Sequence, residues 1–371
     1  MKKGKELLRG CLPYLIWLGV CGLLALLFQI FKGNRPLMNW LAENVTSPVK
    51  TALASFCNLF PFSVSEIVIY LVIIGAVIFL VKAVLAARRQ KGNRTALLLR
   101  RGLALGAAAL TAYTMFVCHW GINYYTDTFQ EKSGIHAAAP TVEQLYQTAR
   151  YFARGLNAAG KEVRRDEKGL FAEDMKQVIA DSADLYTGIE EKIPCLSGKV
   201  FRPKPFFLSE ILSYLDCTGY YFPWLGESNF NNHSPASDRP ATIAHELAHQ
   251  RNVASEQEAN FVAVLVSLES DSAAYRYSGY MLGYVYLNNA LIQADEAKWR
   301  EVYSTLSPEV RADMANVNEY WKAHTNWISK AASGMNDQRL KNYGQELGIR
   351  SYGAVVDLLT VYYGPAAAQD E

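Results

Sequence analysis

The sequence predicts an α-helical membrane region of three transmembrane helices, joined to a mostly α-helical, α+β domain with a small sheet. Half of the 371 residues are apolar, and they are concentrated in residues 1–124, which are dense in Leu, Ala, Val and Ile. Residues 125–371 instead place apolar residues at helical spacing, with few β-prone stretches. We therefore predict a membrane domain over 1–124 and a globular domain over 125–371.

Three apolar runs predict the membrane spans, at about 12–31, 67–87 and 102–120. Each is close to the roughly 20 residues that cross the hydrocarbon core as a helix. The first run is longer than the apolar part of a signal peptide, and no small-residue cleavage site follows it before Lys32, which favours a retained span. The second contains Lys82 near its end, where a long side chain can reach the headgroups.

Basic residues set the predicted orientation. The N-terminal tail is basic, and so is the loop between the second and third spans, which has no acidic residue. The basic residues of that loop are Arg88, Arg89, Lys91, Arg94, Arg100 and Arg101. The positive-inside bias then makes the N-terminus cytoplasmic and places everything after Trp120 outside the cell membrane. The lipid bilayer is the expected partner, whereas a formal charge of +2 and no basic block with interleaved aromatics argue against nucleic acid.

Within the globular domain, apolar spacing predicts helices over 141–158, 167–186 and 351–363, and a run of helices from 241 to about 330. The aromatic segment 219–224 favours a strand, and 227–240 is typical of a loop with one short extended piece. Cys195 and Cys217 would both lie outside the membrane. Their pairing stays open, because spacing does not show that two Cβ atoms are close.

The sharpest chemical signal is the segment His245-Glu246-Leu247-Ala248-His249. Residues four apart lie one above the other on a helix, so both imidazoles can reach a single metal ion. Glu246 projects beside them, in position to take a proton from a water molecule on that ion. The motif predicts a zinc site, and the alternative is a pair of core histidines on an apolar helix.

The next helix offers a third ligand. Glu256 falls in the first turn of that helix. Asn260 lies four residues later on the same face, where it can hydrogen-bond to a metal-binding side chain and hold it in place. Asn252 suits the left-handed conformation that would turn the chain back toward the metal. Ser255 and Glu258 fit a capping box at the helix start, although Glu258 is the alternative ligand if Glu256 is not one.

These residues resemble known families. HELAH followed by residues 256–261, EQEANF, resembles the gluzincin-like zinc peptidases, whose second motif is ExxA(D/N). The segments 219–223, 226–231, 245–250 and 277–280 resemble a domain-of-unknown-function family of bacterial multi-pass membrane proteins with an HExxH domain. Asn252 stands where a glycine would be expected in this pattern.

The resemblance implies a zincin-like metallopeptidase fold for the globular domain, on the outer side of a bacterial cell membrane. It makes His245, His249 and Glu256 the ligands of Zn²⁺ and Glu246 the catalytic base. In zincins an extended strand before the metal helix pairs with peptide substrates. The resemblance therefore assigns substrate binding by β-addition to the residues of the corresponding stretch. Those residues are Glu227, Asn229 and Asn231.

The expected function is that of a membrane-anchored zinc metallohydrolase acting on peptides or proteins, with metal-activated water and Glu246 as general base. Tyr277 is the candidate donor to the developing oxyanion, with Arg276 and His233 as alternatives. Two other classes stay open: a zincin-like sensor or binding module that holds zinc without turnover, and a membrane scaffold without metal. Glu246 favours the enzyme, because a binding-only site needs no general base. The sequence indicates neither a particular substrate nor an oligomeric state.

Overall fold

A computed structural model of the chain describes residues 2–89, 94–342 and 352–369. The chain divides into two compact units. Unit 1 comprises residues 1–53, 64–126 and 223–225, and unit 2 comprises residues 54–63, 127–222 and 226–371. The sequence places the boundary between the two domains at 124/125. The structure adds the short segment 54–63 to the second unit.

Unit 1 contains the three apolar helices that the sequence predicts. They are α1 (Lys2–Phe31), α4 (Val64–Arg89) and α5 (Arg94–His119), and between α1 and α4 lie α2 (Arg35–Leu41) and α3 (Ser47–Cys57). Within them, Arg9–Phe31, Val64–Arg89 and Arg94–His119 are long and apolar enough to cross a membrane. The helices α1 and α5 lie side by side, and the Trp17 indole N–H donates to Thr111 Oγ1 at 2.7 Å. Lys91 of the basic loop lies outside the described residues.

Short helical turns complete the connections of both units: a π-helical turn at Ala42–Thr46 and 3₁₀ turns at Gly121–Tyr125 and Pro194–Leu196. Unit 2 is mainly α-helical. Its helices are α6 (Phe129–Ser133), α7 (Val142–Ala159), α8 (Met175–Asp181), α9 (Ile189–Lys192), α10 (Ser209–Tyr214), α11 (Arg239–Gln250), α12 (Glu256–Leu268), α13 (Ala273–Ala294), α14 (Glu296–Ser304), α15 (Pro308–His324), α16 (Trp327–Asn342) and α17 (Tyr352–Gln369). The predicted last helix is therefore present as α17, and Ser351 lies outside the described residues.

The core of unit 2 is built around the close pair α7 and α13. Glycines make this approach possible. A Cβ atom at Gly283 would lie 2.3 Å from the ring of Phe152, and one at Gly155 would lie 2.3 Å from the ring of Tyr280. Interiors packed at crystal density leave no room for such atoms. The pair forms the floor on which α11 and α12 rest, since both contact α13.

The helix predicted over 167–186 is wrong for most of its length, because only Met175–Asp181 is α-helical. Before it, the chain makes a tight turn in which Gly169 adopts φ 78° and Arg165 pairs with Phe171 in a β-bridge. Glycine reaches this left-handed region without strain. The apolar residues of this stretch therefore enter the core from two places, Phe171 from the turn and Val178 and Ile179 from the short helix.

A three-stranded sheet of order β1–β3–β2 lies in unit 2, as the β-prone segments predict. The strands are β1 (Lys204–Pro205), β2 (Gly219–Phe222) and β3 (Glu227–Phe230). The central strand β3 pairs in parallel with β1 and antiparallel with β2. All four residues of β3 are buried, whereas β2 is an edge strand with three of its four residues partly exposed.

A buried ion pair fixes residues 54–63 in unit 2. Lys204 Nζ lies 2.6 Å from Glu227 Oε1, and the two side chains are only 2% and 3% exposed. The same ammonium donates to the carbonyl oxygen of Cys57 at 2.6 Å, and Ser63 Oγ donates to Glu227 Oε2 at 3.3 Å. Buried ions are tolerated when further hydrogen bonds satisfy them. Cys57 and Ser63 supply such bonds, so segment 54–63 is part of this unit's fold.

Candidate metal centre

Three predicted ligands come together where α11 meets α12. His245 and His249 lie one turn apart on α11, and Glu256 is the first residue of α12. One ligand atom from each of these residues lies within 4.8 Å of the other two. Pro240 in the first turn of α11 has no N–H to leave unsatisfied, so it suits this helix start.

Both imidazoles are oriented by hydrogen bonds at Nδ1. His245 Nδ1 lies 2.9 Å from Asn260 Oδ1, and His249 Nδ1 lies 2.7 Å from the carbonyl oxygen of Val253. A carbonyl oxygen can only accept, so His249 donates its Nδ1 proton, and the amide oxygen of Asn260 imposes the same tautomer on His245. In the neutral rings, Nε2 then carries the lone pair, which is the form that ligates metals.

The two Nε2 atoms point at one carboxylate oxygen. Glu256 Oε2 lies 3.2 Å from His245 Nε2 and 3.6 Å from His249 Nε2. Three lone-pair atoms at this separation repel one another unless a cation lies between them. Two imidazole nitrogens and one carboxylate oxygen are also the donor set of catalytic zinc sites that keep a position for water. These residues therefore fit a zinc ion.

The turn between the two helices has the predicted left-handed residue and N-cap, but the predicted capping box is only half formed, because the Glu258 carboxylate accepts from the N–H groups of Phe129 and Gln130. Asn252 adopts φ 65°, the left-handed conformation expected of it. The chain reverses there, which brings the carbonyl of Val253 under His249 and lets the Ser255 hydroxyl accept from the N–H of Glu258 at 3.4 Å. Burial disfavours the charged form of Glu256, but when both imidazoles are protonated their hydrogen bonds and charges outweigh it and hold the pKa of Glu256 well below its usual range.

Glu246 lies on the buried side of α11 and is 4% exposed. Among the residues that the structure describes, its Oε2 atom has no hydrogen-bond partner. Burial raises the pKa of Glu246 to about 8; a positive charge on His245, when that ring is protonated, opposes this rise, and the charge of Glu256 adds to it. A carboxyl group that ionises near neutral pH is suited to accept and return protons.

A family model described as a protein of unknown function, DUF3810, matches residues 42–360, which include all the residues of this centre. The chain belongs to the DUF3810 family. No curated protein and no solved structure matches it.

In this DUF3810 protein, the strand that was predicted to bind substrate lies in the middle of the sheet. Glu227, Asn229 and Asn231 are all buried, and Glu227 and Asn229 belong to the central strand β3. The predicted β-addition to β3 is wrong, because both of its edges are already paired, with β1 and with β2. Glu227 instead forms the buried pair with Lys204, and Asn231 Nδ2 donates to Ser213 Oγ at 2.9 Å.

The edge strand β2 lies against the side chain of the predicted base. A Cβ atom at Gly219 would lie 2.7 Å from Thr242 Cγ2, 2.9 Å from the carbonyl of Asn229 and 3.0 Å from Glu246 Oε1. Glycine is therefore required where β2 passes over α11. The aromatic run that follows Gly219 predicts the strand, but no local pattern reveals that its glycine touches Glu246.

Tyr277 does not join this centre. Its side chain is fully buried, stacks on Phe171 and donates its hydroxyl to Asp313 Oδ2 at 2.5 Å, and Arg165 bonds the same carboxylate oxygen at 2.9 Å. The hydroxyl therefore belongs to a buried hydrogen-bond network with Asp313 and Arg165. The predicted catalytic role of Tyr277 is corrected to a structural one. The burial and the hydrogen bond to Asp313 raise the pKa of Tyr277.

The structure also shows the surroundings of the alternative oxyanion donors and of the two cysteines of the globular domain. Arg276 donates to the carbonyl of Ser270 at 2.8 Å and pairs with Glu162, while His233 is exposed at its loop. Cys195 and Cys217 are both free thiols. Sequence reasoning missed the roles of Gly219 and Val253, since both act through the backbone and carry no chemical signature.

Proposed function

We propose that this protein is a membrane-anchored, zinc-dependent hydrolase that cleaves peptide bonds. One observation carries the proposal: two imidazoles with fixed tautomers and one carboxylate converge beside a buried carboxyl group that lacks a hydrogen-bond partner among the described residues. A structural zinc site is closed by four protein ligands and needs no such carboxyl group, whereas hydrolysis requires one.

His245, His249 and Glu256 would hold the ion. A zinc ion there supplies the Lewis acidity that lowers the pKa of water toward neutrality and polarises a carbonyl group. Glu246 accepts the proton of the attacking water and returns it to the leaving nitrogen, and its burial keeps its pKa near the range in which both transfers are favourable. Asn260 and the carbonyl of Val253 hold the rings in place during this cycle.

Peptides fit this arrangement because the strand beside Glu246 is an edge strand. Within the described sheet of order β1–β3–β2, Gly219–Phe222 form the outermost strand, and three of these four residues are partly exposed. An extended substrate adds to such an edge through backbone hydrogen bonds. This assigns peptide alignment to β2 in place of the buried β3.

The proposed topology has three spans, a cytoplasmic N-terminus and an extracytoplasmic unit 2, in a bacterial cell membrane. The basic residues support this orientation. The division into units supports it as well. Residues 54–63 and 127–222 both belong to unit 2, and the two candidate spans α4 and α5 lie between them in the chain. An even number of crossings returns the chain to the same side.

The test uses the full-length protein in detergent, because residues 54–63 are part of unit 2. We expect about one zinc per chain in the wild type and in Glu246→Gln, and less in Glu256→Ala, by elemental mass spectrometry. Cleavage of a mixed peptide library, read by mass spectrometry, should fall by about 100- to 10,000-fold in zinc-loaded Glu246→Gln. Glu269→Gln is the matched control, since Glu269 lies at the far end of α12 in an exposed pair with Lys192.

Each outcome decides between the candidate classes. Undiminished cleavage by zinc-loaded Glu246→Gln would contradict the role of Glu246. A folded wild type without zinc would leave the metal-free scaffold. Bound zinc without cleavage of any library peptide by the wild type would support the sensor or binding module.

A further inference from the structure

Unit 2 exposes large apolar side chains that its core does not use. In α10 and the residues around it, Phe207 is 85% exposed, Ile211 50% and Tyr214 46%. At the start of α16, Trp327 is 78% exposed. The two segments are joined, because Asn326 Nδ2 donates to the carbonyl oxygen of Tyr214 at 3.1 Å.

A third segment with the same property is attached to them. Leu59 and Phe62 are 77% and 48% exposed, and both lie in residues 54–63. The N–H of Arg202 donates to Asn58 Oδ1 at 2.9 Å, and the chain then runs from Arg202 through β1 to Phe207. We refer to the six exposed side chains as the apolar rim: Leu59, Phe62, Phe207, Ile211, Tyr214 and Trp327.

The apolar rim is large for a surface that faces only water. Phe, Tyr and Trp each bury about 150–250 Å² when covered, so the exposed parts of the four aromatic members amount to on the order of 500 Å². A contiguous patch of that area would match the largest on a typical soluble monomer, and large exposed apolar surfaces mark contacts with proteins or membranes. The two aliphatic members add to it.

The position of Phe62 in the chain indicates that a membrane, and not a protein partner, covers the apolar rim. Phe62 stands two residues before Val64, where α4, a candidate membrane span, begins. Two residues extend at most about 7 Å, and the headgroup layer on each side of the hydrocarbon core is about 5–8 Å thick. Phe62 therefore lies within a few residues of the headgroup layer, where aromatic side chains are enriched in membrane proteins.

We propose that the apolar rim of unit 2 lies in the interfacial layer of the bilayer, so that α10 and the start of α16 contact lipid directly. The placement of the apolar rim rests on the proposed membrane anchoring alone, whereas the substrate class that follows from it also rests on the proposed hydrolase. It gives the proposed enzyme a defined substrate class, namely polypeptide segments at the membrane surface. The reason is that α10 leads within five residues into β2, the strand beside Glu246.

Tryptophan fluorescence of the full-length protein in lipid nanodiscs tests the proposal. Nanodiscs are prepared from phosphatidylcholine with and without bromine on the acyl chains, which quenches only nearby indoles. The spectrum of Trp327→Phe is subtracted from that of the wild type, which isolates the emission of Trp327. Trp17→Phe gives the emission of a residue on the candidate span α1 in the same way.

Trp299→Phe is the matched control. Trp299 belongs to unit 2, but its indole stacks on Tyr303 and donates to Asn288 Oδ1 at 2.7 Å, so it is occupied within the unit. We expect brominated lipid to quench Trp327 about as strongly as Trp17 and far more strongly than Trp299. Zinc content of Trp327→Phe should stay that of the wild type.

The proposal is overturned if bromine quenches Trp327 no more than Trp299 while aqueous iodide quenches it strongly. The apolar rim would then face water in the isolated protein and await a protein partner. Weak quenching of Trp17 as well would instead refute the membrane anchoring, and the zinc and peptide assays report on the hydrolase separately.

Discussion

Replacing Asn260 by Ala should weaken zinc binding without removing a ligand. The amide oxygen of Asn260 lies 2.9 Å from His245 Nδ1, and the imidazole is only 15% exposed. Without this acceptor, a largely buried N–H loses its partner, which costs about 1–3 kcal/mol, and the ring is free to adopt the other tautomer. Loss of such a supporting contact weakens metal binding by about 10- to 100-fold. That range corresponds to about 1.4–2.7 kcal/mol, so the two estimates agree.

The assay is competition for zinc between the full-length protein in detergent and a chromophoric chelator. Asn260→Asp should bind zinc at least as tightly as the wild type, because a carboxylate is a stronger acceptor for the same N–H. Asn157→Ala is the control: it removes hydrogen bonds to Thr305 and Ser307 within unit 2 and should leave zinc affinity unchanged. Wild-type affinity in Asn260→Ala, together with loss of binding in His245→Ala, would refute the assigned orientation of His245.

Three further predictions concern the surroundings of the centre. Gly219→Ala should keep zinc but lose most peptide cleavage, because the new Cβ atom would lie 2.7 Å from Thr242 Cγ2 and would displace β2. Overpacking of this kind costs about 1–3 kcal/mol of folding free energy, which is measurable as a lower unfolding midpoint. Lys204→Met should lower the free energy of unfolding by about 3–5 kcal/mol, because it leaves the buried charge of Glu227 unpaired. Adding Glu227→Gln to the same chain removes that charge and should restore much of the lost stability. Thermal unfolding followed by circular dichroism measures both effects. Burial raises the pKa of Asp238 from 3.8 to about 7, so Asp238→Asn should flatten the pH dependence of stability.

The sign of the Asp238 effect follows from linkage. Between pH 3.8 and about 7 the folded state binds more protons at this carboxyl than the unfolded state does. The wild type should therefore lose stability as pH rises through this window, and the loss is complete above it. An unfolding midpoint that declines equally in the wild type and in Asp238→Asn would contradict this assignment. For the other two predictions, unchanged cleavage in Gly219→Ala or an unchanged midpoint in Lys204→Met would contradict the packing described.

The helical parts of the centre could be predicted because their geometry is local. A spacing of four residues fixes where His245 and His249 lie relative to each other, and it also fixes Asn260 relative to Glu256. The left-handed turn at Asn252 is equally local, since few residues adopt it. Each of these relations spans fewer than ten residues of chain.

Strand order and long-range burial could not be predicted in this way. The sequence indicates that 227–230 is extended, but not that β1 pairs with its second edge, because the partner lies more than twenty residues away. Tyr277 was misassigned for the same reason. Its partners Asp313 and Arg165 are separated from it by 36 and 112 residues, by subtraction of their numbers, and no motif links the three.

The position of residues 54–63 in unit 2 has a consequence for biogenesis. This segment is synthesised well before β1 and β3, yet Lys204 and Glu227 need Cys57 and Ser63 to satisfy their buried charges. These contacts form only when both parts of the chain lie on the same side of the membrane. With the proposed topology, a chain whose second and third apolar helices fail to insert as a pair would leave the buried pair of Lys204 and Glu227 without the hydrogen bonds of Cys57 and Ser63. If the proposed topology holds, completion of unit 2 would depend on correct insertion, and misinserted chains are expected to be less stable and more open to proteolysis.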